Sequence, residues 1–204
     1  MKKILLAIAV VVLVLVAGAL YVMMSGPDLS AYEKYREPAL IAMPEQKVLV
    51  VEATGTPEQI ASKALPALFK TYFGLADTPR GRSTPAPRAR WPMQIHVPQE
   101  QWVGRFALPI PDTVTALPTA TKPVEPPVRI DRWEYGQVAQ ILHVGAYDQE
   151  TPTIAKLTRF VKTQGYAIAG ELEEEYLRGP TMFGKGNPDK YYTLIRYQVK
   201  KAAN

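Results

Sequence analysis

From its first residues the chain sorts into one unbroken apolar run followed by segments that alternate between two hydrophobic periods. Ile4 to Met24 is 21 residues without a charge, close to the roughly 20 that a helix needs to cross the ~30 Å core of a bilayer. Ser25-Gly26-Pro27 ends that run, and Leu29 to Arg36 offers one or two turns of surface helix. Beyond it, Pro38 to Met43 and Lys47 to Thr54 have strand character, with Pro44-Glu45-Gln46 as the turn of a hairpin. Gly55 stops the second strand. Thr56 is placed to cap a helix with Pro57 in its first turn and Gln59 closing a capping box. Ala61, Ala64, Leu65, Leu68 and Tyr72 then recur at helical spacing. Pro66 should kink this helix, and Gly74 should end it. Residues 76–92, rich in Pro, Arg, Ser and Thr without periodicity, are expected to form a mobile loop. Met93 to Val97 and Trp102 to Leu108 read as strands.

Pro109 to Pro127 holds six prolines and reads as a crossover, after which the plan repeats. Val128 to Trp133 and Val138 to Val144 make a second hairpin around Tyr135-Gly136. Thr151 and Pro152 open a second helix, whose apolar face is Ile154, Leu157, Phe160 and Val161 and which Gly165 ends. Ile168 to Leu177 and Tyr191 to Val199 are the last strands. A shift of 90 positions lays Gly55 on Gly145, Gln59 on Gln149 and Trp102 on Tyr192. The order of elements therefore indicates an internal duplication of strand-helix-strand-strand modules. Antiparallel sheets with helices on one side make the fold α+β. The expected organisation is an anchor over 1–25, a connector over 26–36 and one domain over 37–204. Within that domain, 37–108 is the first repeat, 109–127 the crossover and 128–200 the second repeat.

Composition narrows the chemistry. There is no cysteine, which excludes disulfides, zinc ribbons and thiol nucleophiles. Two histidines, His96 and His143, leave little for a metal site, so no metal and no cofactor are expected. The net charge of +5 falls to +3 without Lys2 and Lys3. Arg80, Arg82, Arg88 and Arg90 then crowd one loop, which is expected to be solvated or, in a second reading, to touch anionic lipid headgroups. No helix-turn-helix, P-loop or dinucleotide-binding pattern occurs, and no nucleic-acid partner is expected. Lys2-Lys3 should stay in the cytoplasm and send the rest of the chain outward. The expectation is a single-pass protein of a bacterial inner membrane with its C-terminal domain in the periplasm. Cleavage after Ala19, as a signal peptide, is the alternative.

Candidate chemistry concentrates in Glu171-Leu172-Glu173-Glu174-Glu175-Tyr176-Leu177. In a strand, Glu171, Glu173 and Glu175 share one face, which is expected to be solvated, while Glu174 shares the other with Leu172 and Tyr176. A covered carboxylate must be paired, hydrogen-bonded or protonated. Glu174 can accordingly hold a cationic ligand among aromatic rings, act as a general acid or base, or form a structural salt bridge to Arg178, Arg196 or a nearby lysine. Tyr147, Tyr191, Tyr192, Trp102 and Trp133 are either core residues or walls of such a site. His143 reads as a hydrogen-bonded structural histidine.

Three motifs in order carry a family resemblance. His143-Val144-Gly145-Ala146-Tyr147-Asp148, Glu174-Glu175-Tyr176-Leu177-Arg178-Gly179-Pro180 and the closing Tyr192-Thr193-Leu194-Ile195 resemble the GyrI-like domains, which are also effector modules of AraC-type and MerR-type regulators. Ala146 and Glu175 depart from the usual Pro and apolar residue. The resemblance implies two modules around a central groove that takes a small molecule. Glu174, Tyr176 and Tyr147 would line it, with Tyr191 and Trp102 beside them. It also implies a lipophilic or cationic ligand. Two other functions stay open, a small-molecule hydrolase using Glu174 and a membrane-anchored protein-interaction module.

Overall fold

A computed structural model describes residues 28–92, 97–118, 124–180 and 186–202. The chain divides into two units, Met1–Ser30 and Ala31–Asn204. The expected anchor Ile4–Met24 lies outside the described residues. No helix among the described residues is long and apolar enough to cross a membrane.

After a 3-10 helix over Ser30–Arg36 come strands β1 (Ala39–Met43) and β2 (Gln46–Thr54), helix α1 (Pro57–Gly74), and strands β3 (Arg88–Trp91) and β4 (Val103–Pro109). The second half supplies β5 (Arg129–Trp133), β6 (Gly136–Val144), helix α2 (Thr151–Thr163), β7 (Tyr166–Arg178) and β8 (Tyr192–Lys201). The eight strands form one antiparallel sheet in the order β1-β6-β8-β7-β3-β4-β2-β5, so the α+β expectation holds. β1 and β5, and likewise β2 and β6, lie 90 positions apart. Gly55 and Gly145 follow the equivalent strands β2 and β6 with nearly the same positive φ, 143° and 146°, a conformation that favours glycine.

Neither expected hairpin forms. β1 pairs with β6, from Ala39↔Gln140 to Met43↔Gly136, and β5 pairs with β2, from Gln46↔Trp133 to Val50↔Arg129. Both pairings follow one register. Residues 39–54 and 129–144 are thus the two strands of one long antiparallel ribbon, each strand interrupted at a two-residue break, Pro44-Glu45 and Glu134-Tyr135. Pro44 has no N–H to give a ladder, which suits it to the break. Each repeat therefore lends its first strand to the other half of the sheet. Val48, Val50, Trp133, Tyr135 and Val138 pack together around the breaks, with Ile41 and Met43 against them.

Both helices lie on one face. Thr56 and Gln59 form the expected capping box, and α1 runs unbroken through Pro66. Its Ile60, Ala64, Leu68 and Tyr72 cover Leu49, Val51, Ala89, Phe106 and Leu108. Leu157 and Val161 of α2 cover Ala139, Ile141, Ile195 and Val199. Each fully buried Leu, Ile or Val contributes roughly 1.5–3 kcal/mol.

The opposite face overturns two expectations. Residues 88–91 belong to no loop: the alternation Arg-Ala-Arg-Trp is a strand between β7 and β4 that sends Ala89 and Trp91 under α1 and Arg88 and Arg90 to the other side. The expected strand over 93–97 falls largely on residues outside those described. Nor are Glu173 and Glu175 solvated; they are 2% and 8% exposed. Glu173 Oε1 accepts hydrogen bonds from Arg196 Nη1 (2.8 Å) and Tyr135 Oη (3.0 Å), and its Oε2 from Arg90 Nε (2.8 Å). Glu175 Oε2 accepts from Arg196 Nη2 at 2.6 Å and faces Arg88 at 3.5 Å. Burial pushes the Glu175 carboxyl up, but Arg88 and Arg196 beside it hold it below the usual carboxylate range. Strand alternation places these glutamates correctly; it carries no information about the arginines that arrive from β3 and β8.

Removing one member of a buried ion pair leaves its partner charged and dry, at about 3–5 kcal/mol. Glu173→Ala should therefore lower the unfolding free energy by about that amount in urea titration, whereas Glu52→Ala on the exposed end of β2 should change it by less than about 0.5 kcal/mol.

Candidate functional site

On the helix-bearing face, between the α1 and α2 clusters, β7 presents Leu172, Glu174 and Tyr176. Glu174 is the one of its three neighbouring glutamates that meets no arginine. Its Oε2 accepts hydrogen bonds from Tyr176 Oη (2.6 Å) and Trp91 Nε1 (3.0 Å). The expected structural salt bridge to Arg178 or Arg196 is absent: Arg196 is engaged by Glu173 and Glu175, and Arg178 lies over the Tyr192 ring.

The third neighbour is a second carboxyl. Glu150 sits at the N-cap of α2 and makes no capping hydrogen bond; α2 begins at Thr151, so the expected cap is one residue off. The Glu150 side chain instead turns inward, is 5% exposed, and comes within hydrogen-bonding reach of Glu174. Its Oε1 is buried without a partner among the described residues. Burial first, then the neighbouring Glu174 charge, pushes the Glu150 carboxyl up to about 9. Burial likewise raises Glu174, against the opposing pull of the Tyr176 and Trp91 hydrogen bonds. Burial, and for Glu150 also the charge of Glu174, thus favour the protonated form of these carboxyls.

Aromatic rings run past Glu174 in a continuous series. Trp102 meets Trp91 at 6.1 Å between centroids, Trp91 meets Phe106 at 5.7 Å, and Phe106 stacks on Tyr176 at 6.2 Å. Tyr176 meets Tyr147 at 5.5 Å, and Tyr147 meets Tyr191 at 5.1 Å. Gly104 in β4 makes room for the series, since a Cβ there would lie 2.8 Å from the Trp91 ring. Tyr147 is the outermost tyrosine of the series, 37% exposed.

All five residues expected from the sequence, Glu174, Tyr176, Tyr147, Tyr191 and Trp102, thus fall in one assembly. Trp91, Phe106 and Glu150 were missed. Trp91 lay in the segment taken for a loop, although its Arg-Ala-Arg-Trp alternation was a strand signal. Phe106 was one apolar residue among several on its strand. Glu150 looked like an ordinary acidic residue at a helix start, where the dipole favours it. His143 is structural, as expected: Nε2 donates to the Ala146 carbonyl (3.1 Å), leaving Nδ1 to accept from Thr153 Oγ1 (2.9 Å). Among the described residues no group of three or more acidic or histidine side chains could hold a metal ion.

The family profile of the GyrI-like small-molecule-binding domain matches residues 36–200. This chain belongs to that family. No curated protein is significantly similar to it in sequence. Solved structures share the GyrI-like fold. A conserved protein of uncharacterised role from Listeria innocua superposes with a TM-score of 0.68 at 24% identity, over 85% of this chain and 100% of its own. A Listeria innocua protein described as a hydrolase gives 0.66 at 23%, over 85% and 100%. The C-terminal domain of EcmrR gives 0.60 at 15%, over 81% and 98%. At these identities the likeness is one of fold.

The carboxyl pair makes stability depend on pH. Because Glu150 is raised above its unfolded value of 4.5, its contribution is complete below that pH and is lost as pH rises through about 9. Glu150→Gln should therefore stabilise the GyrI-like domain by on the order of 1–2 kcal/mol at about pH 9 and hardly at all near pH 4. Urea midpoints at the two pH values measure this, and equal shifts at both would remove the charge explanation.

Proposed function

We propose that this GyrI-like domain holds a lipophilic cation at the Glu150–Glu174 pair, with the ring series from Trp102 to Tyr191 as its walls. The observation that carries the proposal is a buried, acidic, aromatic site that no lysine or arginine among the described residues pairs with. None of the ion pairs among the described residues reaches Glu150 or Glu174. A ligand cation would replace a carboxyl proton, and the rings would add about 0.5–2 kcal/mol of cation–π attraction. Tyr147, exposed and outermost, is the ring whose rotation would admit the ligand.

The uncharged run Ile4–Met24 behind Lys2-Lys3 supports the second half of the proposal: a single-pass anchor in a bacterial inner membrane, with the domain facing the periplasm. A reporter active only outside the cytoplasm, fused at Asn204, should be active, and the protein should stay with membranes after a salt wash. Activity of a cytoplasm-only reporter at the same point would overturn this topology.

Binding is tested with a cationic rhodamine dye followed by fluorescence anisotropy. Affinity is expected in the micromolar range, about −8 kcal/mol. Glu174→Gln should weaken it tenfold or more, as charge-assisted contacts contribute about 1.5–3 kcal/mol. Glu52→Gln should leave it unchanged. Unaltered binding in Glu174→Gln, together with a more stable fold, would make Glu174 a strained structural residue.

One observation favours a second reading. Two neighbouring buried carboxyls, both raised above the usual carboxylate range, would offer an acid and a base in one site, as a hydrolase needs. Turnover of a strained-ring ester that disappears in Glu174→Gln while dye binding persists would establish it.

A further inference from the structure

The sheet face turned away from the helices contains a cavity of about 200 Å³, lined among others by Arg90, Arg105, Arg196, Glu171, Glu173 and Tyr135. It lies across the sheet from the carboxyl pair and shares none of the residues assigned to that site. The strand registers set its charge. Along one row Arg196 of β8 is opposite Glu173 of β7, Glu173 is opposite Arg90 of β3, and Arg90 is opposite Arg105 of β4. Two arginines therefore stand directly beside each other on neighbouring strands, an arrangement that is unfavourable unless something negative lies between them.

The carboxylates lining the cavity are already committed, and Glu52, opposite Arg105 on β2, is exposed and outside the lining. Glu173 spends both oxygens on Arg196, Tyr135 and Arg90, and Glu171 pairs with Arg105. Three guanidinium groups and two carboxylates leave the lining one positive charge in excess. Donors are in excess as well. Arg105 Nε and Arg196 Nε are both buried without a hydrogen-bond partner among the described residues, and the Arg196 side chain is only 3% exposed. Buried donors left unpaired are rare in folded proteins and call for a partner. The arginines are also held in place before any ligand arrives. Arg90 lies 4.0 Å over the Trp133 ring and 5.0 Å over that of Tyr135, and the two carboxylates fix the remaining orientations. The space itself is kept open by Gly170, at an irregularity of β7 between Ile168 and Leu172, where a Cβ would come within 2.9 Å of Gln198 Cβ.

We propose that this cavity is a second ligand site, for a small oxyanion bearing a carboxylate or phosphate group, bound between Arg90 and Arg105. A planar or tetrahedral group of oxygens matches the fork of N–H donors that paired guanidinium groups present. The site is independent of the cation site, so either can fail without the other.

The test uses the full-length chain in detergent micelles, titrated with sodium phosphate and with sodium succinate at constant ionic strength against sodium chloride. Binding is read by calorimetry and by the side-chain Nε–Hε signals of arginine in ¹⁵N NMR. Saturable binding of either anion is expected, together with shifts of two arginine Nε signals that chloride does not produce. The anion that binds more tightly identifies the preferred group. Arg105→Gln, at the partly exposed rim, should weaken binding at least tenfold with the circular dichroism spectrum unchanged, and Glu174→Gln should leave it intact. Should Arg105→Gln fail to fold, the Nε shifts in the unaltered protein decide. Absence of saturable binding for both anions, or binding that survives in folded Arg105→Gln, would overturn the proposal.

Discussion

The middle of β7 is buried on both of its faces, and it places glutamates at 173, 174 and 175. Each carboxylate on it must be matched by something other than water, and most of the molecule's polar architecture follows from how that is done. On one side the match is positive charge. β3 and β8 contribute Arg88, Arg90 and Arg196, which accept the desolvation cost jointly with Glu173 and Glu175. On the other side no arginine arrives, and Glu174 is left with Trp91, Tyr176 and a second carboxyl. One strand thereby sustains a charge-neutralised network and, one residue away, a site whose charge is unresolved without a proton or a guest.

The pairing of β3 with β7 makes this possible. It joins two four-stranded units, β1-β6-β8-β7 and β3-β4-β2-β5, into one continuous sheet, each unit taking its end strand from the other half of the chain. That seam brings Trp91 of the first repeat onto Glu174 of the second. The same seam aligns Arg88 and Arg90 with Glu175 and Glu173. Both the aromatic site and the charged face are therefore properties of the junction between repeats.

Local pattern carried much of this architecture. Strand and helix positions followed from period two and period 3.6, and the assignment of Glu174 to the side of Leu172 and Tyr176 needed only alternation. What alternation could not say is what each side faces. Glu173 and Glu175 looked solvated because glutamate usually is; of their partners, Arg88 and Arg90 lie far away in a stretch whose Pro, Arg, Ser and Thr content suggests a loop, and Arg196 lies on the next strand, where alternation alone does not pair it with them. Pairing partners were hidden for a similar reason. Two strands separated by two or three turn-like residues normally make a hairpin, and nothing local distinguishes a turn from a bend at which the ribbon changes neighbours. Glu150 was obscured by an ordinary explanation, helix-start electrostatics, that its side chain does not fulfil.

The ribbon interrupted at Pro44-Glu45 and Glu134-Tyr135 also decides what the smallest self-sufficient unit of this fold is. A single repeat cut free would keep its second strand but have lost that strand's outer neighbour, while its own first strand would point away from its core with nothing to pair against. Such a fragment completes its sheet only by trading first strands with another copy. Neither half of the chain holds a complete sheet or a complete site by itself: one supplies Trp91 and the other Glu174.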